Sequence, residues 1–187
     1  WNPSAKPLVS PKPPADIPLW MLGSSPDSAK LAADRGLPYN LAGFINPRAE
    51  PEYIEYYKRN FQPSDLCPQP YTIFTISVFC ADTDEQAERL QLANDINFFR
   101  FVTGQSDGKA IKPENVHEFP MTAQLQAFIQ DRSRIRAVGS PQKVKEKVQM
   151  IADAYQADEI MAVTNMYYLK DRKRSFELLK NAMDDKS

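Results

Sequence analysis

Short apolar runs alternate with amphipathic segments along this chain. Four runs have the length and the β-branched or aromatic content of buried strands, at residues 17–22, 39–44, 71–79 and 159–164. Apolar residues at helical spacing, with capping residues before them, predict helices at residues 26–35, 51–60, 82–102, 122–131, 142–155 and 171–183. Because helices separate the strands, the pattern predicts right-handed βαβ units and a parallel α/β sheet.

A turn of phosphate size follows the first predicted strand. Gly23 lets the backbone turn, and Ser24 and Ser25 precede Pro26, which fits the first turn of a helix. The first N–H groups of that helix have no partner within it, so a phosphate would satisfy them, with the hydroxyls of Ser24, Ser25 and Ser28 as further donors. The alternative is that Ser-Ser-Pro is only a good helix cap. The local sequence leaves both interpretations open.

The composition argues against two classes of binding partner, nucleic acid and membranes. The 187 residues are 42% hydrophobic and 25% charged, and the formal net charge is -1, so no basic excess draws the chain to nucleic acid or to an anionic membrane. No apolar run approaches the roughly 18 residues of a membrane span. Cys67 and Cys80 lack metal-ligand spacing, which favours free thiols and a cytoplasmic location.

Other segments indicate how the chain is divided and packed, and do not indicate a functional site. Residues 1–16 contain five prolines and predict an extended lead-in, while residues 17–187 form the remaining domain with a long polar connection at about 104–120. His117, the only histidine, lies in that connection and is expected at the surface. The aromatic cluster on the second predicted helix is expected to be a packed helix face and comprises Tyr53, Tyr56 and Tyr57.

Four separate segments carry a resemblance to a known family. They are residues 22–39, 81–90, 138–147 and 157–164, and in order and spacing they resemble the C-terminal half of the bacterial luciferase-like flavin monooxygenases. The resemblance implies about four strand–helix units of a TIM barrel, the C-terminal half. A complete barrel takes roughly 250 residues. We therefore expect a fragment, a processed product or a truncated family member, which either self-associates or pairs with an N-terminal half-barrel.

The resemblance also implies a cofactor site. In the family the FMN phosphate lies at the end of the fifth barrel strand, which corresponds here to the strand before Gly23. Carried over position by position, the residues around the phosphate are Leu22, Gly23, Ser24, Ser25 and Ser28. The charged phosphate ligands and the catalytic histidine of the family belong to the N-terminal half. No catalytic residue is therefore assigned in this chain.

The function implied by the resemblance is a flavin-dependent monooxygenase. Reduced FMN from a separate flavin reductase would act with dioxygen to oxidise a small organic substrate. Asn165 and Tyr167 follow the last predicted strand, where barrel active sites are built, and are substrate-side candidates. The connection at 104–120 is expected to order as a lid. The alternatives are a non-catalytic flavin-binding protein and a deazaflavin-dependent reductase.

Overall fold

Five parallel strands form one sheet in the computed structural model, which describes residues 17–184. The strands are β1 (Met21–Gly23), β2 (Tyr39–Ala42), β3 (Thr72–Cys80), β4 (Arg136–Gly139) and β5 (Glu159–Val163). The helices are α1 (Pro26–Arg35), α2 (Pro51–Asn60), α3 (Asp84–Val102), α4 (Ala123–Arg132), α5 (Pro141–Tyr155) and α6 (Leu169–Asp184), with a 3₁₀ helix at Pro113–Glu118. The predicted lead-in at 1–16 lies outside the described residues. The α/β class with a parallel sheet is confirmed.

The strand β3 is the centre of the sheet. Thr75 pairs with Ala42 of β2 and with Met161 of β5, so these two strands lie on opposite edges of β3. Ser77 pairs with Arg136 of β4 as well as with β5, which puts β4 on the same edge as β2, beyond the end of β2. The strands β1, β2, β3 and β5 therefore follow one another as in a barrel wall, and β4 is an addition to it.

The strand β4 is not among the four strands that the sequence predicts, because the sequence pattern assigned no element to residues 136–139. Four residues beginning with a charged Arg136 carry no strand pattern of their own. They pair because β3 extends past β2 and leaves an open edge there. The Ala81 N–H donates to the Gly139 carbonyl at 3.1 Å and completes this pairing.

The first strand is shorter than predicted. Residues 17–22 form an apolar run, but only Met21–Gly23 pair with a neighbour. The pairing begins where the Met21 N–H donates to the Pro38 carbonyl at 2.9 Å. Ile17 and Leu19 precede this point; among the described residues no strand pairs with them, and both side chains are exposed.

The two faces of the sheet are covered unequally. One face packs against α1, α2, α5 and α6, and there Phe74, Ile76 and Val78 are completely buried. On the opposite face, which we call the inner face, α3 covers only Phe79 and its surroundings. Elsewhere on the inner face Leu22 is 56% exposed and Met161 is 45% exposed. Within residues 17–184 no helix is both long and apolar enough to cross a membrane.

Candidate functional site

The helix α1 begins with a reciprocal serine cap. Ser25 is the N-cap, in extended conformation, and its Oγ accepts a hydrogen bond from the Ser28 N–H at 3.4 Å. The Ser28 hydroxyl accepts from the Ser25 N–H at 3.3 Å and lies 2.6 Å from the Ser25 carbonyl oxygen, to which it can donate. Ser25 therefore caps the helix, as its position before Pro26 predicts, while phosphate binding by the same turn stays a prediction; the helix ends at Gly36 in the left-handed region.

The serine cap leaves some hydrogen-bond donors at the start of α1 without a partner among the described residues. The Ser24 hydroxyl makes no hydrogen bond within residues 17–184, and the Ser25 hydroxyl acts in the cap only as an acceptor, so its proton is available. The Asp27 N–H lies in the first helical turn, where a helix has no acceptor of its own. Two hydroxyl groups and one backbone N–H can therefore donate to an anion at this end of α1.

Ser28 is placed differently from the other two serines. Its hydroxyl is bonded within the cap and lies 3.0 Å from the Tyr39 hydroxyl, so both its proton and its lone pairs are in use. Burial raises the pKa of Tyr39, which remains protonated at neutral pH. The direct contact of Ser28 with a phosphate stays a prediction. It requires the Ser28 hydroxyl to exchange these partners for the ligand.

Asn46 is a residue of this site that the sequence analysis missed. Its Nδ2 donates to the Ser24 carbonyl at 2.8 Å, and its Oδ1 accepts from the Arg48 N–H at 3.0 Å. The side chain thus ties the loop after β2 to the loop after β1, at the carboxyl end of the sheet. The available signal was an Asn-Pro pair directly after the second apolar run, which marks a loop at the same edge.

The other candidate residues lie at the same edge of the sheet. Leu22 is close to the serine cap, whereas Asn165 and Tyr167 are not in contact with it within residues 17–184. Leu22 projects from the inner face, next to the serine cap. Asn165 and Tyr167 follow β5 and are exposed, with the Tyr167 ring in edge contact with Tyr168 at 4.7 Å between centroids. Among the described residues, no recorded bond or ring contact joins Asn165 or Tyr167 to the serine cap.

The structure assigns structural or surface positions to other residues. His117 is exposed and lies 3.9 Å from the Glu118 carboxylate. Tyr57 is buried and donates to the Leu37 carbonyl at 2.9 Å, and burial raises its pKa to about 12. Tyr53 packs against the core beside it. The packed-face interpretation of this helix is therefore confirmed for these two tyrosines, while Tyr56 is half-exposed.

The long connection at 104–120 is anchored in its middle, at Ile111 and Glu114. The Asn97 side chain bonds the Ile111 backbone at both its N–H (2.7 Å) and its carbonyl (2.9 Å). Farther along, the Tyr168 hydroxyl donates to the Glu114 carboxylate at 2.6 Å, which lowers the pKa of Glu114. The connection therefore lies against α3 and the start of α6. Its ordering on ligand binding stays a prediction.

Neither cysteine forms a disulfide. Cys67 and Cys80 are both buried and unpaired, and burial raises the pKa of the Cys80 thiol to about 11. A thiol with that pKa is protonated at neutral pH and is a poor nucleophile. In the described part of the chain, no group of three or more histidine, cysteine or acidic side chains converges as a metal site would.

Comparisons of the sequence with a family profile and with curated proteins point to the same family. The sequence profile of the luciferase-like monooxygenase family matches residues 2–157. YwcH of Bacillus subtilis is 35% identical over 184 residues, 98% of this chain and 54% of YwcH. A luciferase-like monooxygenase of Escherichia coli K12 is 32% identical over 99% of this chain and 53% of its own length. The chain thus spans about half the length of these curated relatives.

Solved structures share the fold. The apo-MsnO8 crystal structure superposes with a TM-score of 0.81 at 32% identity, covering 97% of this chain and 55% of MsnO8. More distant structures are the oxygenating constituent of 3,6-diketocamphane monooxygenase in complex with FMN (TM-score 0.56, 22% identity) and an F420-dependent secondary alcohol dehydrogenase (TM-score 0.55, 16% identity). These two show the fold alone. By sequence profile, relatives and structure, the chain belongs to the luciferase-like monooxygenase family.

Proposed function

We propose that this chain is the flavin-phosphate-binding, C-terminal portion of a monooxygenase that uses reduced FMN and dioxygen to oxidise a small organic substrate. The observation that carries the proposal is the serine cap. It presents the free hydroxyls of Ser24 and Ser25 and the N–H of Asp27 at the positive end of a helix, at the carboxyl edge of the sheet. Active sites of barrel enzymes are built at that edge.

The residues present fit a phosphate. Hydrogen bonds from hydroxyl and backbone N–H groups to an anion are stronger than those between neutral groups. The Asn46 side chain holds the Ser24 carbonyl, so the turn is fixed before a ligand arrives. The Asp27 carboxylate opposes an anion, but its side chain lines the space between α1 and α2 with Lys30 and Glu52.

The chain's own share of the chemistry would be binding and exclusion of water. When bound, reduced FMN would supply the electrons for activating dioxygen. Ser24 and Ser25 would fix the phosphate, and the apolar Leu22 on the inner face would shield the neighbouring space from water. Asn165 and Tyr167, at the end of β5, would face the substrate. The catalytic groups would come from the other half of the barrel.

The same proposal implies two protein partners, a flavin reductase and a second half-barrel. A separate flavin reductase would supply the reduced FMN, and a cytoplasmic location agrees with the free thiols of Cys67 and Cys80. The uncovered inner face would pack against a second half-barrel, either a second copy of this chain or an N-terminal half. No nucleic acid or membrane enters the proposal.

Two alternatives use the same site. A flavin-binding protein without turnover would need only the phosphate donors of the serine cap. A deazaflavin-dependent reductase would hold the phosphate of its cofactor in the same place, and the F420-dependent alcohol dehydrogenase is one structure that shares the fold. Both alternatives use the same phosphate turn, so flavin binding alone does not separate them from the leading proposal.

Flavin retention and oxygen consumption test the proposal. We expect the purified chain, after addition of FMN and gel filtration, to absorb between 350 and 500 nm. With NADH and an added reductase, the chain alone should show no substrate-dependent oxygen uptake, whereas a chimera with the N-terminal half of YwcH should show it. A chimera that binds flavin without uptake favours the binding protein, and retention of F420 in place of FMN favours the reductase. A chain and chimera that retain neither cofactor contradict the proposal.

A further inference from the structure

A second cavity lies away from the serine cap. It has a volume of about 710 Å³, opens to solvent and is bordered by α3, α4, β4 and the first turns of α5. Its apolar wall consists of Leu92, Met121, Ile129 and Val138. The volume falls within the roughly 300–1,000 Å³ of small-molecule sites. None of the flavin-side or substrate-side candidates named above lines it.

A buried guanidinium lines this cavity. Arg136 is 5% exposed, its Nη1 donates to Asp95 at 2.7 Å and its Nε donates to the Arg132 carbonyl at 2.8 Å. Its Nη2 makes no hydrogen bond to any described residue. This nitrogen is not among the fully buried atoms that lack a partner, so it reaches the cavity surface and can donate to a ligand there.

The charges behind the cavity are not balanced. The fully buried Asp95 carboxylate faces two guanidinium groups, those of Arg132 and Arg136. Arg132 Nε lies 3.6 Å from Asp95 Oδ1, and neither atom has a hydrogen-bond partner in the described chain. One carboxylate against two cations leaves an excess of one positive charge. A buried excess charge is unfavourable until an anion approaches it.

A lysine extends the positive side of the cavity. Lys147 lines the cavity, is half-buried and has no ion pair among the described residues. Its neighbour one turn earlier, Lys143, is by contrast neutralised by Asp84 at 3.3 Å and by Glu88 at 3.8 Å. Four cations in and behind the cavity therefore face three carboxylates, which leaves an excess of one positive charge.

We propose that this cavity binds a small organic anion, a carboxylate carried on an apolar body. The carboxylate would lie between Arg136 and Lys147, because the planar guanidinium matches a carboxylate in geometry and the ammonium adds charge. The apolar body would pack on the wall that includes Leu92 and Ile129, where its transfer from water is favourable. The site is separate from the flavin-phosphate turn.

Titration of the full chain with 4-phenylbutyrate tests the proposal. The neutral analogue 4-phenylbutanol and acetate, which lacks the apolar body, are the ligand controls. Methyl NMR of labelled methionine locates the site, since Met121 lines the cavity while Met150 and Met183 do not. We expect saturable binding of phenylbutyrate at a stoichiometry of one, with a shift of the Met121 signal and weaker binding of both controls.

Two surface variants reduce the positive charge of the cavity and should leave the fold intact. Lys147→Met keeps the apolar stem, and Gln126→Glu places a carboxylate at the exposed rim of the cavity. Gln124→Glu adds the same charge on the same helix outside the lining. We expect the first two to weaken binding about fivefold or more and the third to change it by less than about twofold. Equal binding of phenylbutanol, equal effects of both glutamates, or no saturable binding at millimolar concentration overturns the proposal.

Discussion

Gly23 and Ser28 lie so close together that a Cβ added to Gly23 would stand 2.2 Å from the Ser28 Cβ and 2.3 Å from its Oγ. The end of β1 therefore passes directly against the serine that closes the cap of α1. Only a residue without a side chain fits there, because atoms at such a distance overlap. The close approach joins the strand to the helix at the point where the free hydroxyls are presented.

The variant Gly23→Ala should move the cap. We expect a loss of about 1–3 kcal/mol in the free energy of unfolding, since overpacking forces the turn to shift. Urea unfolding followed by circular dichroism measures the loss. In the G23A background, Ser28→Gly removes the opposing Cβ and should recover more stability than Ser28→Ala, which keeps it. An alanine at position 23 without effect would mean that the strand end and helix are not packed in this way.

The buried carboxylate of Asp95 should be essential for stability. Asp95→Asn leaves Arg132 and Arg136 without a counter-charge in the interior, so we expect a loss of about 3–5 kcal/mol. The matched control is Asp131→Asn, which breaks an exposed pair with Arg48 and should change stability little. Denaturant unfolding of both variants gives the comparison. Equal losses would refute the special role of the buried cluster.

Asp158 should contribute a pH-dependent part of stability. Burial alone raises its pKa, but hydrogen bonds from the Thr72 hydroxyl (2.6 Å) and N–H (2.8 Å), with Lys58 nearby, outweigh burial and lower the pKa below its ordinary value. A carboxyl group whose pKa is lowered by folding stabilises the protein fully above about pH 4 and loses this contribution as the pH falls through the folded-state pKa.

The test is the difference in unfolding free energy between the wild type and Asp158→Asn. We expect a clear difference at pH 7 and pH 5 that narrows below about pH 4, where the wild-type carboxyl becomes protonated. Asp153→Asn on α5 serves as the control for the change in net charge. A difference that stays constant down to pH 3 would assign the effect of the substitution to lost packing rather than to charge.

The inner face should cause self-association of the isolated chain. Leu22 and Met161 leave apolar surface uncovered there, and within residues 17–184 β1 and β5 each have one edge without a partner strand. A two-fold axis along the barrel would pair β5 of one copy with β1 of the other and keep all strands parallel. We expect light scattering to show dimers at micromolar concentration. Met161→Lys should weaken these dimers more than the control Met150→Lys, since Met150 lies on α5 and is 60% exposed. A clean monomer contradicts this prediction.

Much of the fold could be predicted because the signals are local. The helix α2 begins and ends where its Pro51 start and apolar spacing predict, and Gly36 ends α1 as its position implies. The strand β3 is unmistakable because nine residues with many β-branched and aromatic side chains follow one another. Such elements carry their pattern within a few residues, so no tertiary information is needed.

Other features depend on contacts between distant segments. The strand β4 exists because β3 has an open edge beyond Ala42, which no pattern in residues 136–139 encodes. Asn46 joins the site through a bond to Ser24 across 22 positions. The occupation of the Ser28 hydroxyl by Tyr39 likewise arises from the pairing of β1 with β2. The packed structure sets these relationships. The local sequence signals at most the loop at Asn46-Pro47, not the bond that Asn46 makes.

Calorimetric titration with FMN and riboflavin measures whether Ser24 and Ser25 bind the phosphate of a flavin. We predict tighter binding of FMN than of riboflavin, and a loss of about 1.5–3 kcal/mol at most for each serine hydroxyl replaced by alanine. Ser25→Asp keeps an N-cap side chain but opposes the phosphate, so it should abolish the preference for FMN without loss of helix stability. Equal affinities for FMN and riboflavin in the wild type, or an unchanged preference in Ser25→Asp, would contradict the account.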